Sequence, residues 1–345
     1  MDISDDDHGD ASLAALRRRK RGGRKHKGPF RRILAVPDLI LEFQAEDLRE
    51  NALRSLSGML NDKRDDDQFL YAMTGVFLCY SFGTLPILLQ EIVSVYPKFA
   101  AGDISVRASK RIGNVLTLLQ SIAHNPETRG EFVRANIGSY ILPLILSKED
   151  AHNEIYENLR LMSLSVIAAL CEGMEEIVSR WVLEAKVFGV CLHAAHLGSE
   201  LSKVMSTTII ERALQHDDIR KALTKPDMRG ILDGTLITFC KMVNDICTSP
   251  GPVGIHLLDL VLQCCILLFT YIRSRGPLRL KVMHTLRDSL LNELLRPYSD
   301  TRSKRVHVMM LLNDIGPIVG ASRDSRKPLT ALNTNTRSQL EKISK

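Results

Sequence analysis

Cys191, His193 and His196 come closest in this chain to a reactive or metal-binding site, because Cys-x-His-x-x-His puts three ligands near one face of a helix. A closed zinc site needs four ligands, and no second Cys/His pair has matching spacing, so packing is the better reading of the triplet. The vicinal pair Cys264-Cys265 lies inside an apolar run and reads as core rather than as a redox centre. Asp65-Asp66-Asp67 reads as a solvated loop, since a cation site needs more oxygen ligands fixed in space. The sequence contains no G-x-x-x-x-G-K-[ST] phosphate loop, G-x-G-x-x-G turn, H-E-x-x-H helix or G-x-S-x-G elbow. Catalysis, a metal and a cofactor are therefore not expected.

The elements that would have to position any such residues are helical. Hydrophobic residues make up 45% of the 345 positions and aromatics only 5%, with Leu, Ile, Val and Ala abundant. Leu and Ala are strong helix formers, so an aliphatic, aromatic-poor chain of this kind is expected to be helical. Leu85, Leu88, Leu89, Ile92 and Val93 repeat with helical period, with Thr84 as N-cap and Pro97 as the stop. Ile112, Val115, Leu116, Leu119 and Ile122 repeat in the same way. No run of alternating strands is found. The longest apolar run, Leu257 to Ile272, is interrupted by Asp259 and Gln263 and is short for a membrane span, so it reads as a core helix. All seven cysteines lie in apolar stretches, and the acidic-then-basic N-terminus lacks the pattern of a secretory signal peptide. Free thiols in a reducing compartment are expected.

Charge divides the chain into three. Residues 1–32 hold ten Arg/Lys against five Asp, a net +5, and residues 321–345 hold six against two, a net +4. Residues 33–320 hold 30 against 33, a net −3, so the basicity belongs to the two ends. Residues 1–32 lack the apolar content to offset ordering entropy and are expected to be a disordered basic arm, and 321–345 a flexible tail. The arm's basic cluster, Arg17, Arg18, Arg19, Lys20, Arg21, Arg24 and Lys25, fits a nuclear-import signal, an RNA-binding arm or a solubilising tail. With Phe30 its only aromatic, it is not a stacking platform for single strands.

Between the ends the chain repeats. Four times an apolar helix ends in a short polar turn: Asn125-Pro126-Glu127, Gly173-Met174-Glu175, His216-Asp217-Asp218 and Ser274-Arg275-Gly276. The separations are 48, 43 and 58 residues, the first two close to the ~40–47 residue period of HEAT and armadillo units. One such unit cannot bury both its faces, so neighbours stack. The expected fold is all-α, an armadillo/HEAT-type right-handed helical solenoid over residues 33–320, with a concave groove.

The stretch Ser81-Phe82-Gly83-Thr84 through Leu88-Leu89-Gln90-Glu91-Ile92-Val93 to Tyr96-Pro97 resembles the S-F-G-T-x-x-x-L-L-Q-E-I-V-x-x-Y-P signature of the "required for cell differentiation" family. Arg49-Glu50-Asn51-Ala52-Leu53, His124-Asn125-Pro126-Glu127-Thr128-Arg129, Leu159-Arg160-Leu161, Gly198-Ser199-Glu200-Leu201-Ser202-Lys203 and Lys241-Met242-Val243 extend the likeness in order and register over about residues 45–300. The resemblance implies the armadillo-repeat subunit nine of the Ccr–Not mRNA deadenylase complex, an adaptor without catalytic activity. It implies docking on the NOT scaffold subunit, with short peptide motifs of translational repressors, including tryptophans, received by the groove and small apolar pockets. It places Tyr80 and Phe82 on an interaction surface, and Ser165, Leu201 and Met205 in the peptide groove. Single-stranded nucleic acid or RNA, a second copy of the chain as a homodimer, and a cytoplasmic (P-body) and nuclear location belong to the same set of expectations; a membrane does not.

The departures from the family pattern are specific. Cys79-Tyr80 stands where the family has Trp-His, and an extra loop runs from about Leu60 to Tyr71. The basic L-L-K-H-V-V-R-C helix is replaced by Leu257-Leu258-Asp259-Leu260-Val261-Leu262-Gln263-Cys264, and Met228-Arg229-Gly230 stands for Tyr-Glu-Arg. Three basic positions have become acidic, apolar and neutral, which marks a diverged member.

Overall fold

The computed structural model describes residues 32–61, 68–149, 151–248 and 253–275. The basic arm, Asp65-Asp66-Asp67, Gly276 and the expected limits at 320 and 321–345 lie outside those residues. The described residues form helices and contain no strand.

Fourteen α-helices run in chain order among the described residues: α1 Val36–Gln44, α2 Arg49–Leu60, α3 Gln68–Tyr80, α4 Thr84–Ala100, α5 Val106–His124, α6 Pro126–Arg134, α7 Ile137–Ile145, α8 Glu154–Leu170, α9 Glu176–Glu184, α10 Val187–Leu197, α11 Glu200–Leu214, α12 Asp217–Leu223, α13 Arg229–Thr248 and α14 Gly254–Arg275. They group in threes, and equivalent helices pack on one another. The first helices α3, α6, α9 and α12 make one ladder, the second helices α4, α7, α10 and α13 another, and the third helices α5, α8, α11 and α14 a third. Helix α2 occupies the third-helix position ahead of α5. This is the stacked, quasi-one-dimensional arrangement that the repeat spacing requires.

Local chemistry sets the boundaries. Asn125 caps α6 by accepting from the Glu127 backbone N–H at 2.9 Å, while Pro126 takes the first helical position, where its missing N–H costs nothing. Ser105 caps α5 and Ser199 caps α11 in the same way. The stripe Ile112, Val115, Leu116, Leu119 and Ile122 is wholly buried, and α14 buries Leu257, Leu258, Val261, Leu262, Cys264, Cys265 and Leu268. No single described helix is long and apolar enough to cross a membrane.

Two expectations for α4 need correcting. The N-cap is Gly83, whose φ of 76° is open to glycine at little cost, and Thr84 is already helical and buried. Pro97 does not stop the helix, which continues to Ala100 because the Ala101 N–H still bonds the Pro97 carbonyl at 3.1 Å and only one turn follows the proline.

Close packing between units selects small residues. A Cβ on Gly138 in α7 would lie 2.2 Å from Cζ2 of Trp181 in α9, so the indole sits where any other side chain would begin. Trp181 is the single tryptophan of the chain and is buried at that junction.

Candidate functional site

Cys191, His193 and His196 do not converge. Cys191 is buried and its thiol pKa is raised by burial, His193 Nε2 lies 3.1 Å from the Ser147 carbonyl, and His196 is exposed. No cluster of three or more His, Cys, Asp or Glu suited to a metal occurs among the described residues. Cys264 is also buried, with its thiol facing the Thr207 carbonyl at 3.9 Å, and burial raises its pKa. A thiol kept protonated in this way is a poor nucleophile.

The matched segments turn largely inward. Arg160 on α8 is 0% exposed and donates to the carbonyls of Ile145, Ser147 and Glu149 at the end of α7, while pairing with Glu157 one turn back. Glu157 in turn accepts from the Ser199 backbone N–H at 2.9 Å and the Ser202 hydroxyl at 2.7 Å, at the start of α11. Burial opposes ionisation of Glu157, but these hydrogen bonds and the one from Arg160 prevail and hold its carboxyl below the usual range. Three elements are thereby tied by one buried ion pair whose hydrogen-bonding groups are satisfied.

Arg129 does the same between neighbouring units. It donates to the Ala123 and His124 carbonyls at the end of α5, at 3.1 and 2.8 Å, and to Glu175 before α9 at 2.5 Å. Near the other end, Arg111 on α5 grips Glu91 on α4 with two hydrogen bonds of 2.6 and 2.7 Å and reaches Glu50 on α2 at 3.3 Å. Arg107 adds a 2.7 Å bond to Glu50.

The five candidate binding residues form two separate groups, and none is fully buried. Tyr80 and Phe82 flank the turn between α3 and α4. Phe82 is 96% exposed, its carbonyl held by the Gln44 amide at 2.8 Å, and Tyr80 is 62% exposed with its hydroxyl donating to the Glu127 carbonyl at 3.3 Å. Val93, expected on the buried stripe of α4, instead faces solvent, and Tyr140 on the neighbouring second helix α7 and Leu146 just past its end are exposed as well. The other group sits on adjacent third helices. Ser165 on α8 is half-buried and donates to the Leu161 carbonyl at 2.9 Å, Leu201 on α11 is exposed, and Met205 is half-buried with part of its surface against the core. The third candidate group, Arg17 to Lys25, lies outside the described residues.

Sequence reasoning missed a cleft beside the second group. It is lined by Glu200 and Lys203 of α11, Met242, Asp245 and Ile246 of α13, and Gly254 and Leu257 of α14. The signal available was weak, namely charged residues one position from apolar ones at two helix ends.

A family model described as the cell differentiation family, Rcd1-like, matches residues 39–313. The chain is 30% identical over 285 residues to the cell differentiation protein rcd1 of Schizosaccharomyces pombe, covering 82% of this chain and 95% of that one. It is 31% identical over 264 residues to the protein CAF40 of Saccharomyces cerevisiae, covering 76% of this chain and 66% of that one. Among solved structures, a designed armadillo repeat protein aligns with TM-score 0.53 at 14% identity, covering 81% of this chain and 100% of its own. A second, computationally designed for modular peptide recognition, aligns with TM-score 0.54 at 14% identity, covering 80% and 99%. At such identities the likeness establishes the armadillo fold.

Proposed function

The chain belongs to the Rcd1-like cell differentiation family, and from that premise we propose that it is a non-catalytic adaptor of a Ccr–Not-type deadenylase complex. In this reading it docks on the NOT scaffold subunit through the outer face of α3–α4 and receives short apolar peptide motifs of repressor proteins on the third helices. One observation carries the reading. The most distinctive matched segment, residues 81–97, sends Glu91 inward to the Arg111 clamp and leaves Phe82 and Val93 in water. Large apolar side chains on or beside a helix end and uncovered by the other described residues are what a protein partner desolvates on binding. The groove candidates have matching character, since Met205 is a flexible, polarizable side chain suited to varied apolar anchors.

The test is affinity capture with the full chain and two variants. The unaltered protein should co-purify the NOT scaffold; Phe82→Asp should lose the scaffold, and Met205→Glu should keep it but lose peptide partners. Melting curves of both variants should match the parent. Unfolding of Met205→Glu would place Met205 in the core, and scaffold capture undiminished by Phe82→Asp would remove the docking face.

The charge division favours a second reading, RNA binding by the arm. Residues 1–32 carry +5 while residues 33–320 carry −3. Binding through the arm should weaken steeply with added salt, whereas apolar peptide docking should not.

A further inference from the structure

Helix α1 is the outermost described helix at its end of the stack, and it packs on α2, α3 and α4 through Val36, Ile40 and Phe43, all buried. Leu41 lies on the opposite side of the helix, and Leu34, in the turn leading into it, shares that side at a spacing of two helical turns. They are 66% and 72% exposed, so no described residue covers them. Leu48, in the turn before α2, is exposed as well. The terminal element of a solenoid needs a polar outer face unless something stacks on it.

The charge around these leucines is of one sign. Residues 33–48 hold four carboxylates, Asp38, Glu42, Glu46 and Asp47, and no Lys or Arg. All four are exposed, and none makes a side-chain hydrogen bond or an ion pair among the described residues. The arginines on either side are engaged. Arg49 donates to the Phe43 and Gln44 carbonyls at 3.2 and 3.4 Å and lies 3.7 Å from Glu91, and Arg32 also has a partner. A net −4 thus stands beside an apolar ridge in a chain whose overall charge is +6. Asp38 and Glu42, one turn apart, flank Leu41 on one side, while Gln44 on the other holds the Phe82 carbonyl at 2.8 Å.

We propose that this end of the solenoid docks a basic amphipathic helix of a partner protein. Leu34 and Leu41 meet its apolar stripe, and the four carboxylates face its Lys or Arg residues. Two leucines two turns apart form a ridge along one axis, which is the surface another helix packs against. A second copy of this chain does not fit, because a two-fold contact would set the four carboxylates against themselves. The proposal goes beyond the scaffold and groove readings and rests on neither, since α1 carries none of their residues.

The probe is a labelled designed peptide of about 18 residues, long enough to form a helix, with Leu at helical spacing and Lys elsewhere. A companion peptide has Glu in place of Lys. Binding to the full chain is followed by anisotropy at constant salt, and the unaltered chain should bind the Lys peptide. Asp38→Lys with Glu42→Lys should weaken the Lys peptide at least about tenfold and strengthen the Glu peptide, opposite signs that a folding defect cannot produce. Glu154→Lys with Glu184→Lys makes the same charge change at exposed positions of α8 and α9, and should leave the Lys peptide within about twofold because distant charges are screened. Leu34→Ser with Leu41→Ser should weaken the Lys peptide with no change of charge. Failure of the unaltered chain to bind the Lys peptide would overturn the proposal. Equal weakening by the α1 and control charge pairs would do so too, by reducing the effect to net charge. A dimer in sedimentation that Leu34→Ser with Leu41→Ser returns to monomer would give the face to a second copy instead. Met205→Glu should leave the Lys peptide bound; its loss there would place the peptide in the groove and not on α1.

Discussion

The junction of α8 with α11 and the turn between α3 and α4 handle their distinctive side chains in opposite ways. At the junction, Arg160 and Glu157 are buried, pair with each other within α8, and direct their remaining hydrogen bonds to the end of α7, the loop after it and the start of α11. At the turn, Phe82 stands 96% exposed and only its backbone is tied down. A charged residue inside is a costly placement, whereas a phenylalanine outside merely forgoes the gain of burial. The first is offset by a complete set of partners within the molecule. The second has no such partner among the described residues, which is what supports the docking face proposed above. Both stretches match the same family, yet one serves the stack from within and the other forms the proposed docking face.

The comparison can be broken most sharply at the junction. Arg160→Ala leaves Glu157 buried without its counter-charge and should cost about 3–5 kcal/mol. Urea unfolding followed by Trp181 fluorescence would measure it, and a loss below about 1 kcal/mol would show that the junction tolerates an unpaired carboxylate. At the turn, Phe82→Asp should change stability by less than about 0.5 kcal/mol while weakening scaffold binding by ~2 kcal/mol or more, about thirtyfold. A comparable loss of stability would make Phe82 a packing residue and erase the contrast.

Packing without charge should fall between these limits. Gly138→Ala forces a methyl against Trp181 and should cost ~1–3 kcal/mol, with an altered Trp181 emission marking the site of strain. The smallest effect is on pH dependence. Because the folded-state pKa of Glu157 is depressed, its contribution to stability is fully present above the unfolded value and is lost as pH falls through the folded one. Acidification below about pH 4.5, the ordinary value for a glutamate, should therefore destabilise the parent more than Glu157→Gln, read from unfolding midpoints across that range. Parallel curves for the two proteins would mean that Glu157 titrates alike in both states.

Much of the framework was legible in the residues because its signals are local. Asn125-Pro126 supplies its own cap and first helical residue, and Ile112 to Ile122 buries one stripe at helical period. The site was legible only in outline. Leu89 and Val93 carry the same periodic signal, yet Leu89 is half-buried and Val93 exposed, since the angle at which α4 meets its neighbours chooses the edge of the stripe. Thr84 has the chemistry of an N-cap, but Gly83 supplies the required backbone conformation one residue earlier.

By itself, then, the sequence determined the helical class, the spacing of its repeats and the kinship with a known family, all of which depend on residues a few positions apart or on order along the chain. Only the tertiary structure decided which matched residues clamp the stack and which face outward. Arg160 needs carbonyls from α7, Glu157 needs Ser199 and Ser202 from α11, and Gly138 needs Trp181. Each of those partners lies tens of residues away or on another helix, and burial is a property of neighbours in space rather than of neighbours along the chain.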